Sequence, residues 1–162
     1  MEQKLEAYRR KRNFLKTSEP SGKEEKAVGV TKRKIFAVQL HYARTTHFDF
    51  RLEWDGVLLS WAVPKGPSFN PKDKRLAVRV EEHPLDYADF EGVIPKGEYG
   101  GGTVLLWDKG YWTETEDFAR GLEKGSLKLR LDGKRLKGGW ALVRLNDKDK
   151  AEDEKENWLL TE

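Results

Sequence analysis

The chain has 162 residues, 36% of them charged, a net charge of +3 and no cysteine. That length suits one domain that buries its own core. The lack of cysteine excludes disulfides and thiolate metal ligands, leaves His, Asp and Glu to hold any metal, and fits a reducing cytoplasm.

The charge is unevenly placed. Residues 1–34 carry 11 Lys/Arg against 5 Asp/Glu, a net of +6, while the remainder carries 20 against 23, a net of −3. A basic arm of this kind touches phosphates in a salt-sensitive way, or is simply a solvated tail. Few apolar residues and the turn formers Ser18-Glu19-Pro20-Ser21-Gly22 predict a mobile arm over 1–34, with a helix of about three turns between Met1 and Arg12. Its charged N-terminus lacks the apolar stretch of a secretory signal, and no run in the chain is long enough to span a membrane.

From Ile35 the pattern changes. IFAVQLHY reads as a strand, followed by HFDFRLEW, in which Phe48, Phe50, Leu52 and Trp54 face one way and His47, Asp49, Arg51 and Glu53 the other. Asp55-Gly56 is a hairpin turn. VLLSWAVP, apolar on both faces, is a central strand. After a Pro/Gly loop, RLAVRVEEH predicts a strand with Arg75, Arg79, Glu81 and His83 on one face and Leu76, Val78 and Val80 on the other. GEYGGG (Gly97 to Gly102) is a loop, TVLLW a strand, and Glu114 to Lys124 a short helix stopped by Gly125. SLKLRL and GGWALVRL form a hairpin, Asp147 to Glu156 a charged loop with no assigned role, and NWLL a last strand. The fold expected is mainly β: a small closed antiparallel barrel over 35–162 with one or two short helices and a flexible N-terminal arm. The six tryptophans are expected in its core.

HFDFRLEW carries the chemistry. Residues two apart on a strand lie about 6.6 Å apart on one face, so His47 and Asp49 can converge on one ion, with Arg51 beside it for a phosphate. Gln39 and His41 share a face of the preceding strand, and if the two strands pair, His41 reaches the same ion. Two His and one Asp suit manganese, iron or zinc and leave positions open for water or substrate. Arg75, Arg79 and His83 would bring further phosphate contacts, and a His beside a phosphate can stabilise charge or protonate a leaving oxygen. Glu53 and Glu81 fit either a supporting role around the ligands or plain salt bridges. The bland alternative for any one His is an exposed ring without function. From these residues a nonhaem iron oxygenase using His47, Asp49 and His83 also stays open.

The stretches Gln39-Leu40-His41, His47 to Glu53, SWAVPKGPS, EHPLDYADFEG and GEYGGG, with YRRKRNFLKTSEPSG in the arm, resemble the 3′-phosphoesterase domain of bacterial DNA ligase D, a family that also has free-standing bacterial and archaeal members. The resemblance covers nearly the whole chain. It implies manganese-dependent 3′-end healing in nonhomologous end joining: removal of a 3′-terminal ribonucleoside, then of the remaining 3′-phosphate, to leave a 3′-hydroxyl. Carried over by motif, His41, His47 and Asp49 match its manganese ligands, with cobalt and zinc as other candidate metals. Arg51 and His83 match its phosphate contacts, and Gln39, Lys65, Arg75, Glu81 and Tyr87 match further active-site positions. Arg12 and Glu19 match assisting positions in the arm, where Asn13 stands in place of the family's usual Asp.

The implied partners are 3′ ends of DNA or RNA-terminated primer–templates, a DNA ligase and end-joining factors. The chain is expected to be monomeric, and either a free-standing enzyme or one domain of a longer protein. A non-catalytic strand-end binding module is the alternative reading.

Overall fold

The computed structural model describes residues 2–22, 33–145 and 155–162. The strands are β1 (Lys34–Tyr42), β2 (Thr46–Trp54), β3 (Val57–Val63), β4 (Arg75–His83), β5 (Gly92–Ile94), β6 (Gly102–Glu114), β7 (Ser126–Gly133), β8 (Lys137–Arg144) and β9 (Asn157–Thr161). Helix α1 (Glu6–Arg10) follows a 3-10 turn in the arm, α2 (Phe118–Lys124) joins β6 to β7, and a second 3-10 turn spans Leu85–Asp89. The strands run β1-β2-β3-β4-β9-β8-β7-β6, and β6 pairs back onto β1 to close an antiparallel barrel. The three-residue β5 adds to the free edge of β6 at its start. Among the described residues no helix is long and apolar enough to cross a membrane.

Two layers follow from the alternation in β1 to β4. One set of side chains, including Phe36, Phe50, Leu52 and Trp61, joins Trp112, Trp140 and Trp158 from the far wall in the barrel interior. The other set faces outward, where bare exposure would be expected. Instead the arm and the 85–94 segment cover it, and Tyr8, Ala37, Leu58, Tyr87, Phe90 and Ile94 form a second buried cluster. The functional side chains lie between this cover and the barrel wall.

Three expectations differ from the structure. The arm is not apart from the barrel over 2–22: Tyr8 is fully buried, and Lys4 forms an ion pair with Asp55 at the tip of the β2–β3 hairpin. The rest of the predicted arm, 23–32, and residues 147–154 of the charged tract lie outside the described residues. The helix before Gly125 begins only at Phe118, because the Asp117 side chain caps it by accepting from Arg120 N at 3.2 Å, and the preceding residues to Glu114 extend β6 instead. The third difference lies in β4. Ser60 pairs with Val80 but Leu58 pairs with His83, so β4 holds one extra residue at this bulge. The bulge reverses the alternation. Val80 and His83 therefore share the outer face, whereas Arg75 and Arg79 keep the parity of Ala77, which is buried in the core.

Asp108 is a buried carboxylate that holds the β7–β8 turn. It accepts backbone N–H groups from Lys134 (2.9 Å), Arg135 (3.2 Å) and Leu136 (2.8 Å). Asp108→Ala leaves those donors without their acceptor and is expected to destabilise by about 1–3 kcal/mol in urea unfolding. An unchanged midpoint would mean that the turn holds itself.

Candidate metal and phosphate site

The β1–β2 register sets the site. His41 lies opposite His47, and Gln39 opposite Asp49, on the outward face. His47 Nε2 is 3.1 Å from Asp49 Oδ1, and His41 Nδ1 is 3.5 Å from Asp49 Oδ2. One ligand atom from each of the three lies within 4.8 Å of the others, a group that could hold a metal ion. The oxygenase arrangement needs His83 in that group, and the residue that converges with His47 and Asp49 is His41.

The outer ring nitrogens support this geometry. His41 Nε2 lies 2.7 Å from Gly100 O, and His47 Nδ1 lies 3.0 Å from Thr45 O. A carbonyl only accepts, so each ring donates its outer N–H there and points its other nitrogen at Asp49. Rings held in this way are characteristic of metal ligands. Gly100 reaches His41 with a φ of +74°, a conformation that other residues rarely adopt. Burial disfavours the Asp49 carboxylate, yet the Arg51 guanidinium and hydrogen bonds from His41 and His47 outweigh it and hold the carboxyl well below its usual range. His47 is moved the other way: burial disfavours its cation, and Asp49 more than restores it. The space between the rings and the carboxylate thus favours positive charge. The donor set fits a divalent transition metal.

Arg51 is clamped beside this group. Its Nε donates to Gln39 Oε1 (2.6 Å), its Nη1 to Ser60 Oγ (2.9 Å), and its Nη2 lies 3.5 Å from Asp49 Oδ2. Gln39 in turn donates to the carbonyls of Tyr87 and Phe90. The guanidinium stacks over the Tyr87 ring at 4.7 Å. Burial pushes the Tyr87 phenol up despite Arg51, and its hydroxyl donates to Glu19 at 2.6 Å, so it is no phenolate nucleophile.

His83 Nδ1 donates to Glu81 O at 2.9 Å, leaving Nε2 bare and 3.4 Å from Arg12 Nη2. Burial, then the charges of Arg51 and Arg12, lower its pKa well below the ordinary 6.5. The ring is neutral at pH 7. Because its folded pKa lies below the unfolded one, the stability it carries is intact above pH 6.5 and is lost as pH falls below it. The limiting slope is about 1.4 kcal/mol per pH unit. His83→Gln is expected to flatten that fall in urea unfolding at pH 7.5, 6.5 and 5.5 in chelator. Equal slopes for the two proteins would show that the folded ring takes up its proton as readily as the unfolded one.

The arm closes the cleft. Arg12 Nε binds Glu19 Oε2 at 2.9 Å, its Nη1 lies 3.0 Å from Tyr8 O and 3.4 Å from Glu81 Oε1, and Lys11 binds Glu81 at 3.0 Å. Asn13 is outside the cleft. It is exposed, and its Oδ1 accepts from Leu15 N at 3.1 Å, which an Asp at that position would do equally well.

Most of the residues singled out from the sequence thus meet in one cleft of about 290 Å³: His41, His47, Asp49, Arg51, Glu81, His83, Tyr87, Arg12 and Glu19 line it, with Gln39 bracing Arg51. Lys65 and Arg75 do not join them. They line a separate basic cleft of about 600 Å³ with Lys72 and Lys74. Sequence reading missed Ser60, Tyr99 and Lys155. Ser60 was legible as the lone polar residue of VLLSWAV. Lys155, in the charged tract, carried no signal.

The model of the DNA ligase D 3′-phosphoesterase domain family matches residues 39–144. The chain is 55% identical over 144 residues to the multifunctional non-homologous end joining protein LigD of Pseudomonas aeruginosa, covering 88% of this chain and 17% of that protein. It is 46% identical over 143 residues to the LigD end-joining repair protein of Mycobacterium tuberculosis, 88% of this chain and 18% of the other. With the LigD protein of Mycolicibacterium smegmatis it shares 41% identity over 163 residues, 96% and 20% of the two chains. The chain therefore spans about a fifth of the length of these relatives.

Proposed function

The chain belongs to the DNA ligase D 3′-phosphoesterase domain family, and from that premise we propose that it is a manganese-dependent phosphoesterase that heals 3′ ends of DNA in nonhomologous end joining. The observation that carries the reading is one cleft in which His41, His47 and Asp49 turn their ligand atoms together beside the clamped Arg51 and the buried His83. The phosphoesterase unit is the barrel over 35–162, with the docked part of the arm completing its cleft.

The work is divided as follows. His41, His47 and Asp49 would hold a divalent cation, which would supply Lewis-acid polarisation of a phosphate oxygen. Arg51, fixed by Gln39, Ser60 and Tyr87, offers charge to the other phosphate oxygens without reorganising. His83 is neutral in the free protein partly because two guanidiniums face it. A bound phosphate offsets those charges and raises the basicity of Nε2, which then takes up a proton and returns it to the leaving oxygen. In the first step water replaces the 5′-oxygen of a terminal ribonucleoside on phosphorus, leaving a 3′-phosphate. In the second step water replaces the 3′-oxygen of the strand, releasing phosphate and a 3′-hydroxyl. Glu81 and Glu19 hold Arg12 over the cleft. Lys65 and Arg75 belong to the path of the bound strand, outside the reacting cleft.

A denaturing-gel time course tests the proposal. The substrate is an end-labelled primer–template with one 3′-terminal ribonucleotide, incubated with manganese or with chelator. Shortening to a 3′-phosphate and then a 3′-hydroxyl, with manganese only, is expected. Strand binding without cleavage under any divalent metal would replace the enzyme by a binding module.

A further inference from the structure

The reacting cleft is lined almost wholly by side chains that are already engaged. Glu81 is held by Lys11 and Arg12, and Glu19 by Arg12, Thr17 and Tyr87. Among the described residues no Asn or Gln lines it, so none of them offers a free amide to read the hydrogen-bonding edge of a base. At about 290 Å³ it lies at the small end of ligand pockets and admits a terminal nucleotide rather than a strand. Its aromatic rings divide sharply. Tyr87 is 2% exposed and covered by Arg51, whereas Tyr99 is 42% exposed.

Tyr99 is also firmly presented. It precedes Gly100, whose carbonyl holds His41. Its turn is closed by Glu98 N donating to Pro95 O (3.1 Å) and Gly101 N to Glu98 O (3.0 Å). The Lys11 ammonium and the Arg12 guanidinium lie 5.0 and 5.1 Å from its ring centroid, near enough to fix the ring by cation–π attraction.

Resting on the phosphoesterase reading of this cleft, we propose that Tyr99 is the platform on which the base of the 3′-terminal nucleotide stacks. The end is then recognised by the face of its last base, and all four bases are accepted, since each has a π-face. The platform sits one residue from the group that orients His41, so stacking fixes the terminal phosphate relative to the reacting residues.

The test is a cycle between protein and substrate. Wild type, Tyr99→Ala and Tyr99→Phe are each measured on a primer ending in a ribonucleotide and on the same primer ending in 1-deoxyribose, which keeps the 2′-hydroxyl but lacks the base. KM is read with manganese, and Kd is read in chelator. Tyr99→Ala is expected to weaken the base-bearing end about 5- to 150-fold, the loss that base–aromatic stacking shows on truncation. Tyr99→Phe should stay within about twofold, and on the base-free end wild type and Tyr99→Ala should agree. An equal loss on both ends would mean that the ring acts only by supporting Gly100 and His41, and overturns the proposal. So does full binding of the base-bearing end by Tyr99→Ala. Absence of wild-type turnover would remove the phosphoesterase reading, while the Kd cycle in chelator still decides the stacking.

Discussion

Asp49→Asn is expected to strip the protein of tightly bound divalent metal and to lower phosphoester cleavage by at least about a thousandfold. Loss of a group that merely supports a ligand costs about 10- to 100-fold in metal affinity or activity. Asp49 is a candidate ligand and also, among the described residues, the only carboxylate between His41, His47 and Arg51. Asparagine keeps the shape and loses the charge, so the two inward ring nitrogens would face a neutral amide. A second effect follows in metal-free protein. Arg51 is 3% exposed, and without the carboxylate its charge is buried with only neutral acceptors, Gln39 and Ser60. Breaking a buried pair from one side costs about 3–5 kcal/mol. Metal content after dialysis, the gel assay and urea unfolding in chelator read the three consequences. A variant that keeps both its metal and most of its rate would sink the ligand assignment.

How much of this was visible in the sequence depends on the kind of residue. Strict alternation in HFDFRLEW gave the face shared by His47, Asp49 and Arg51, because a strand has only two faces. Pairing with IFAVQLHY then brought His41 across, and the register does set it opposite His47. The barrel followed from many short strands with turn signals between them. Two features were not legible, for definite reasons. A bulge leaves no mark in residue type, so alternation carried through β4 assigned Val80 and His83 to opposite faces and grouped His83 with Arg75. The cover over the outward face was missed because the arm reads as polar by composition. Its docking rests on a few residues, Leu5, Tyr8 and the buried ends of Arg12 and Glu19, that an average over the segment hides.

Arg12→Ala is expected to destabilise the protein by about 3–5 kcal/mol and to release the arm, the second large effect. The side chain is 5% exposed and joins four groups at once: Glu19, Glu81, the Tyr8 carbonyl and His83. It also lies 4.0 Å over the Tyr8 ring. Removing it leaves Glu19 buried with only the Thr17 and Tyr87 hydroxyls to share its charge. Lysine cannot replace it, because one ammonium cannot divide itself among partners set around a planar fork, so Arg12→Lys should recover little. Asn13→Asp, one residue along, restores the family's usual side chain and should shift stability by no more than about 0.5 kcal/mol and leave both cleavage steps intact. Its oxygen already accepts from Leu15 N at an exposed turn. Urea unfolding and limited proteolysis of the arm separate these outcomes. An Arg12→Ala protein as stable and as resistant as its parent would mean that Tyr8 and Lys4 dock the arm by themselves. A change of step preference in Asn13→Asp would mean that the turn, rather than the Arg12 network, is what the substrate feels.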